Sequence, residues 1–225
     1  MTDASRDMQS YYAARAPYYD AVYLKPERRA DIAFLAMHLP SRFAGRRVLE
    51  VACGTGYWTQ FVALRAQLIV ATDVLAEPLE FARLRLQTDN VRFLRADAYD
   101  LPADLGLFDG AFAGLWFSHV PVGARAAFFA SLHARLVPGA RVVLLDNSDV
   151  QCRELPIVER DSEGNTYQLR ESRDGTRHRV LKNFPSDSEL LALAAGFSEV
   201  SSFQRLENFW LLEYELVTRR EQVPA

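Results

Sequence analysis

Residues 48–59, Val-Leu-Glu-Val-Ala-Cys-Gly-Thr-Gly-Tyr-Trp-Thr, decide the fold. The apolar run 48–51 reads as a buried strand, 52–56 as a turn of small residues, and a helix can start at Tyr57. Strand, glycine turn and helix let backbone N–H groups approach a nucleotide-like ligand, because glycine carries no Cβ and a helix N-terminus presents unpaired donors. A dinucleotide fingerprint wants three glycines, the third for close helix packing. Gly54 and Gly56 fit the first two positions, but Thr59 occupies the third. Glu50 falls at the strand end, facing the ligand. An acid there repels a pyrophosphate and suits a positively charged amino group.

The flanking segments repeat the alternation. Residues 68–73 read as a second buried strand ending in Asp73, close to the ~20-residue spacing at which a carboxylate meets a ribose diol. The same Asp73 could instead cap a helix over 75–87. A third strand, 91–95, leads into Ala96-Asp97-Ala98, and a fourth, 108–113, leads to Leu115 and Trp116.

The stretch Glu50-Val-Ala-Cys-Gly-Thr-Gly56 resembles motif I of the class I S-adenosylmethionine-dependent methyltransferases, E/D-x-G-x-G-x-G, with Ala52 in place of the first glycine. The N-terminal Tyr11-Tyr-Ala-Ala-Arg-Ala-Pro-Tyr-Tyr-Asp20 is similar to the Y/F-x-x-x-A-x-x-Y-D opening of many small-molecule methyltransferases, with Tyr12, Ala16, Tyr19 and Asp20 in place. The resemblance covers residues 10–150 well and the remainder in outline. It implies an α/β, Rossmann-like fold: a seven-stranded, mostly parallel sheet with helices on both faces and an antiparallel C-terminal strand. It implies S-adenosylmethionine (SAM) as cofactor and S-adenosylhomocysteine (SAH) as product. Glu50, Ala52, Gly54, Gly56 and Val74 would bind the cofactor, with Asp73 on the ribose and Asp97 and Ala98 on the adenine. Backbone at Leu115 and Trp116 would meet the amino group, and Tyr19 would lie in the segment folding over the cofactor.

Composition agrees with one large α/β domain, residues 1–225: 49% of the chain is hydrophobic, enough for a sizeable core. A net charge of −3 gives no push toward nucleic acid or anionic membrane, and no 18-residue apolar run occurs. The N-terminus carries no apolar signal segment, and Cys53 and Cys152 make no disulfide framework. The expectation is a cytoplasmic monomer or homodimer without nucleic-acid or membrane partners.

Residues 1–9 read as disordered, and 10–40 as a cofactor-covering segment whose helix, 27–39, stops at Pro40. A helix over 122–137 ends at Pro138-Gly139, and a fifth strand runs over 141–145. The polar stretch 151–185 departs from the alternation. There 166–170 and 177–181 can pair as a β-hairpin, an inserted lid over the site. A helix over 187–195 and antiparallel strands over 197–203 and 209–217 complete the chain.

Strand carboxyl ends should carry the chemistry. His119, just past the fourth strand, could take a proton from a hydroxyl or thiol, since its pKa lies near working pH, or could merely shape the pocket. Tyr12 joins it as a catalytic candidate. Tyr11, Asp146, Asn147, Tyr167, Arg170 and Arg177 are the substrate-binding candidates. Arg170, Arg177, Arg179 and Lys182 could hold a carboxylate or phosphate, against nearby Asp161, Glu171 and Asp174. His38, His119, His133 and His178 show no metal-ligand spacing. Ala113-Gly-Leu-Trp116 stands where many amino-group methyltransferases of nucleic acids and protein glutamine carry Asn/Asp-Pro-Pro-Tyr/Phe, so a small-molecule acceptor is expected, methylated on oxygen, nitrogen or sulfur. The alternatives are a non-catalytic SAM-binding regulatory protein and an NAD(P)-dependent reductase; the second lacks a third glycine and a Tyr-x-x-x-Lys pair.

Overall fold

Seven strands form the main sheet of the computed structural model, which describes residues 3–217. In chain order they are β1 (Arg47–Val51), β2 (Leu68–Asp73), β3 (Val91–Arg95), β4 (Phe108–Gly114), β5 (Leu136–Asn147), β9 (Ser201–Arg205) and β10 (Phe209–Glu215). Their spatial order is β3-β2-β1-β4-β5-β10-β9; β10 pairs antiparallel with both β5 and β9, and the other pairings are parallel. Strand order therefore reverses between β1 and β4, the position at which open α/β sheets bind ligands. The central strands are buried on both faces, and their alternation divides two cores. Leu49 and Val51 of β1 join Val142 and Leu144 of β5 on one face. Val48, Val143 and Leu145 join the opposite core. Helices α2 (Arg29–Arg42), α3 (Thr59–Val62), α4 (Ala76–Arg85), α5 (Arg125–His133) and α6 (Asp187–Ala195) cover the sheet. Helix α6 has a full capping box, Ser186 with Glu189.

Three sequence expectations are corrected in the body. Pro40 does not stop α2; it lies buried in the last turns of a helix running to Arg42. Its missing N–H removes one bond near the helix end, a cost the apolar contacts of Leu35 and Leu39 outweigh. The helix over 122–137 ends at His133, and Leu136 already pairs with Phe108. Pro138-Gly139 is the irregular stretch of β5, where the register shifts before Gly110 meets Arg141. The helix expected from Tyr57 begins at Thr59 and is one turn long.

The expected hairpin is present but belongs to a three-stranded antiparallel sheet: β6 (Ile157–Arg160), β7 (Thr166–Glu171) and β8 (Arg177–Leu181). Strand β6 was not foreseen. Asn183 N donates to Ser118 O at 2.8 Å and Val122 N to Asn165 Oδ1 at 2.8 Å, which ties this sheet to the body. The segment expected to be disordered is, over residues 3–9, part of α1 (Asp3–Arg15); residues 1 and 2 lie outside the described residues, as do 218–225. Helix α1 is held by tertiary contacts that no local pattern announces. Met8 and Tyr11 pack with Tyr167, Val180 and Leu181, and the Asp7 carboxylate accepts from His178 Nδ1 at 2.9 Å and Arg179 N at 2.7 Å. Among the described residues no helix is long and apolar enough to cross a membrane.

Candidate active site

The turn after β1 is built on left-handed backbone: φ is 52° at Ala52, 57° at Gly54 and 73° at Gly56. Ala52 pays roughly 1–2 kcal/mol for a conformation that glycine adopts freely. A Cβ on Gly56 would lie 3.1 Å from Ala82 Cβ, so Gly56 sets how closely α4 packs on the turn. Asp73, at the end of β2, fastens the same turn. Its Oδ2 accepts from Gly54 N at 2.8 Å and its Oδ1 from Leu75 N at 2.9 Å. The N-cap of α4 is Leu75, so Asp73 is not the helix cap considered from the sequence. At the end of β4, Leu115 also takes positive φ, 58°, with its N–H bonded to Leu145 O at 2.7 Å. A leucine held in this conformation marks backbone over-determined by its surroundings.

These turns border a cavity of about 700 Å³ at the carboxyl ends of the strands. Glu50, Ala52 and Gly54 line it from β1 and the turn; Asp73, Val74, Asp97 and Ala98 line it from β2 and β3. Leu115, Trp116 and His119 follow from β4, Tyr12 and Tyr19 from the N-terminal segment, and Tyr167 from β7. The N-terminal segment is pinned there. Asp20 accepts from Thr55 Oγ1 at 2.7 Å and pairs with Arg85, while the Tyr23 ring stacks on Tyr57 with centroids 3.6 Å apart.

Glu50 is 1% exposed and its Oε2 has no partner. Burial, with the Asp73 charge beside it, pushes its carboxyl up to about 8. An unsatisfied buried carboxylate calls for a cationic donor, and a ligand ammonium supplies one. At the other end, Asp97 Oδ1 accepts from Tyr99 N at 2.9 Å, and Tyr99 is raised to about 12, mainly by burial. This acid–aromatic pair with apolar Val74, Leu75 and Pro78 around it suits a flat heteroaromatic ring. The residues present thus fit SAM: an amine-seeking acid, a tight turn and an apolar slot in sequence along the strand ends.

His119 is buried, with Nδ1 2.6 Å from Leu181 O and Nε2 2.9 Å from the Tyr12 hydroxyl. A carbonyl only accepts, so Nδ1 carries the proton and Nε2 is left to accept from Tyr12. Burial and the charges of Lys182 and Arg170 hold His119 well below the ordinary histidine range, so the ring is neutral. Arg170 Nη1 donates to the Tyr12 oxygen at 2.9 Å, and burial raises the Tyr12 phenol. Tyr12 therefore donates once and accepts once, and one lone pair remains. Beneath them Asp146, 0% exposed, accepts from Ser118 N (2.8 Å), Ser118 Oγ (2.9 Å) and Lys182 Nζ (2.9 Å). Burial brings Lys182 down to about 8, and the Lys182 charge keeps Asp146 below its usual value against the burial cost, so the pair is ionised at neutral pH.

A second, smaller cavity of about 60 Å³ shares Tyr12, Tyr19, Leu115 and His119 with the first and receives Asn147, Arg170 and Lys182. Four sequence candidates line neither cavity. Gly56 lies behind the turn, Tyr11 packs edge-on to Tyr12, Asp146 is sealed beneath Lys182, and Arg177 sits exposed beside Glu171 at the far end of the hairpin. Among the lining residues that are not sequence candidates, three stand out, Tyr99, Arg15 and Arg28. Tyr99 directly follows Asp97-Ala98, and Arg15 lies inside the N-terminal aromatic motif, so both had a local signal. Arg28 stands in a charged run and had none.

A family model described as "Methyltransferase domain" matches residues 48–139. The chain is 37% identical over 106 residues to a demethylmenaquinone methyltransferase of Clavibacter sepedonicus, 47% of this chain and 42% of the relative. It is 33% identical over 125 residues to the O-methyltransferase cnsE of Penicillium expansum, 53% of this chain and 45% of that protein. The matched stretch thus spans about half the length of these curated relatives or less. Two solved structures align almost throughout. A DhpI–SAH complex superposes with TM-score 0.80 at 28% identity, over 96% of this chain and 98% of that one. A DhpI–SAM–HEP complex superposes with TM-score 0.77 at 30% identity, over 95% and 98%. Strand order, glycine turn, acid placement and these matches agree: the chain belongs to the class I S-adenosylmethionine-dependent methyltransferases.

Proposed function

We propose that this protein transfers a methyl group from SAM to an oxygen of a small-molecule acceptor. The observation that carries the choice of oxygen is the Tyr12–His119 contact at the cavity wall, a neutral imidazole whose free nitrogen faces a hydroxyl at 2.9 Å. In this reading Glu50 pairs with the cofactor's ammonium, Gly54 N–H and Asp73 fix the turn at the ribose with Val74 beside it, and Asp97, Ala98 and Tyr99 receive the adenine. Leu115, Trp116, Ala52 and Tyr19 close around the sulfur end. Bound SAM supplies an electrophilic methyl group on a positively charged sulfur, so alignment and a dry site are what the protein must add.

The acceptor hydroxyl donates to the free lone pair of Tyr12. As its oxygen becomes nucleophilic, that proton passes to Tyr12 and the Tyr12 proton to His119 Nε2, which Leu181 O holds in the accepting tautomer. Arg170 keeps the Tyr12 oxygen in place. The small sheet β6-β7-β8, an inserted lid over 151–185, and α1 keep water out. A net charge of −3 and unpaired Cys53 and Cys152 accord with a cytoplasmic monomer or homodimer that binds no nucleic acid.

Calorimetry with SAH on purified protein tests the cofactor reading. Saturable one-to-one binding is expected, and no heat would refute it. Incubation with methyl-labelled SAM and a panel of hydroxylated, aminated and thiol-bearing small molecules tests the acceptor atom. Label on nitrogen or sulfur but never on oxygen would refute the choice of oxygen.

A further inference from the structure

The second cavity has a composition the methyl-transfer reading does not require. Of its charged lining residues, five are cations, Arg15, Lys25, Arg28, Arg170 and Lys182, and one is an acid, Glu154. Lys25 is spoken for by Glu154, and Lys182 by Asp146. Arg170 gives Nε and Nη2 to Gln168 Oε1 and Nη1 to Tyr12, and no carboxylate meets it. Arg28 is 5% exposed, and among the described residues its side-chain hydrogen bond is a long one, Nη1 to Asn147 Oδ1 at 3.5 Å. The Nε atoms of Arg28 and Arg15 are buried without a partner. Glu154 acts on Arg28 from the same cavity, but its carboxylate is already bonded to Lys25. Buried guanidinium N–H groups left without a partner are costly, and clusters of them persist where an anion completes the site.

We infer that this cavity is an oxyanion subsite: it binds a carboxylate or phosphate-type group of the methyl acceptor and so presents the rest of that molecule to Tyr12 and His119. The inference rests on the methyltransferase reading of the larger cavity and adds the acceptor's chemical class. Size agrees. At ~10–15 Å³ per water-sized probe, about 60 Å³ admits roughly four to six non-hydrogen atoms, an anionic group and little more. Position agrees too, because the walls common to both cavities are Tyr12, Tyr19, Leu115 and His119. The lid end of the larger cavity is unsuited to an anion: Asp161 and Glu163 line it, and its cation, Arg179, is already paired with Glu159. An anion beside Arg170 and Lys182 also offsets the two charges that, together with the larger effect of burial, hold His119 low. The base would gain proton affinity when the acceptor is seated.

Titration of SAH-loaded protein with inorganic phosphate, and separately with sodium acetate, at constant ionic strength tests this. Saturable binding with a millimolar or tighter dissociation constant is expected for at least one anion. Phosphate alone points to a tetrahedral oxyanion, and acetate binding as well points to a carboxylate; either supports the subsite. R28Q and R170Q should each weaken the anion at least tenfold, while R92Q, on exposed β3, should leave it unchanged. Retained SAH affinity in each variant shows that it is folded. Anion binding that is absent, or lost equally in R92Q, would overturn the subsite while leaving the cofactor reading intact. Failure of SAH to bind is seen in the cofactor titration alone, and would overturn the reading on which the subsite rests.

Discussion

Replacing Glu50 by glutamine removes a titration without changing shape. In the folded chain the Glu50 carboxyl is pushed up to about 8 from an ordinary 4.5, because it is buried with Oε2 unpartnered. Between those values the folded state holds a proton that the unfolded chain has released. Stability from this group is complete below about 4.5 and is lost as pH rises through about 8. At about 1.36 kcal/mol per unit, wild type should lose roughly 3–4 kcal/mol relative to E50Q between pH 5 and pH 8, and nothing further above about 9. Urea titrations of both proteins without cofactor, at intervals across that range, measure the difference directly. The cofactor reverses the sign. A ligand ammonium favours the carboxylate, so SAH binding at pH 6.5 should release about one proton from wild type and none from E50Q. Calorimetry in buffers of different ionisation heat reads that release. E50Q should also bind SAH more weakly by about 1.5–3 kcal/mol, the range for a charged hydrogen bond. Parallel stability curves for the two proteins, with equal proton release, would refute the role of Glu50 as the amine's counter-ion.

D73N should weaken SAH binding by about 1.5–3 kcal/mol in calorimetry, because one oxygen that accepts from Gly54 N or Leu75 N becomes a donor; unchanged affinity would show that these two bonds do not shape the cofactor's turn. Y12F and H119Q should each lower turnover by ~10²–10⁴-fold, the range for lost general-base catalysis, with SAH affinity nearly constant. The wild-type rate should hold at pH values where an ordinary histidine is already protonated, since His119 is kept neutral; a rate falling with a normal histidine titration would contradict that. K182M should cost about 3–5 kcal/mol in denaturant titrations, because Asp146 is then left as a buried uncompensated charge. The double change K182M with D146L should recover most of that loss, and equal stability of the single and double variants would count against the pair.

Legibility in the sequence followed the range of the interactions. The strand at β1, the turn at Gly54 and Gly56 and the acids at 50, 73 and 97 are stretches whose meaning is fixed by neighbours a few residues away, and Gly54 and the three acids line the cavity. Errors arose where tertiary contacts override local preference. Pro40 and Pro138 read as terminators because proline lacks an N–H, yet one sits inside α2 and the other within a bulged strand. Residues 3–9 read as disordered because their polar pattern hides the partners of α1, which belong to β8 some 170 residues further on. Arg177 stands out in the sequence by charge alone; a two-residue alternation along the hairpin cannot say which end meets the body, and Arg177 lies at the end that does not.

By itself the sequence determined the α/β alternation, the glycine turn and the order of its acids, since backbone conformation and strand-end position are local properties of contiguous residues. The tertiary structure alone decided which groups would meet: Tyr12 from α1, Arg28 ahead of α2, His119 after β4, and Arg170, Leu181 and Lys182 from the small sheet. His119 becomes a base of fixed tautomer only because the Leu181 carbonyl reaches Nδ1, and the Nε of Arg28 lacks a partner only because packing buried it where no acceptor reaches. Charge, burial and hydrogen-bond direction are relations between distant segments, and they exist only once the chain has closed on itself.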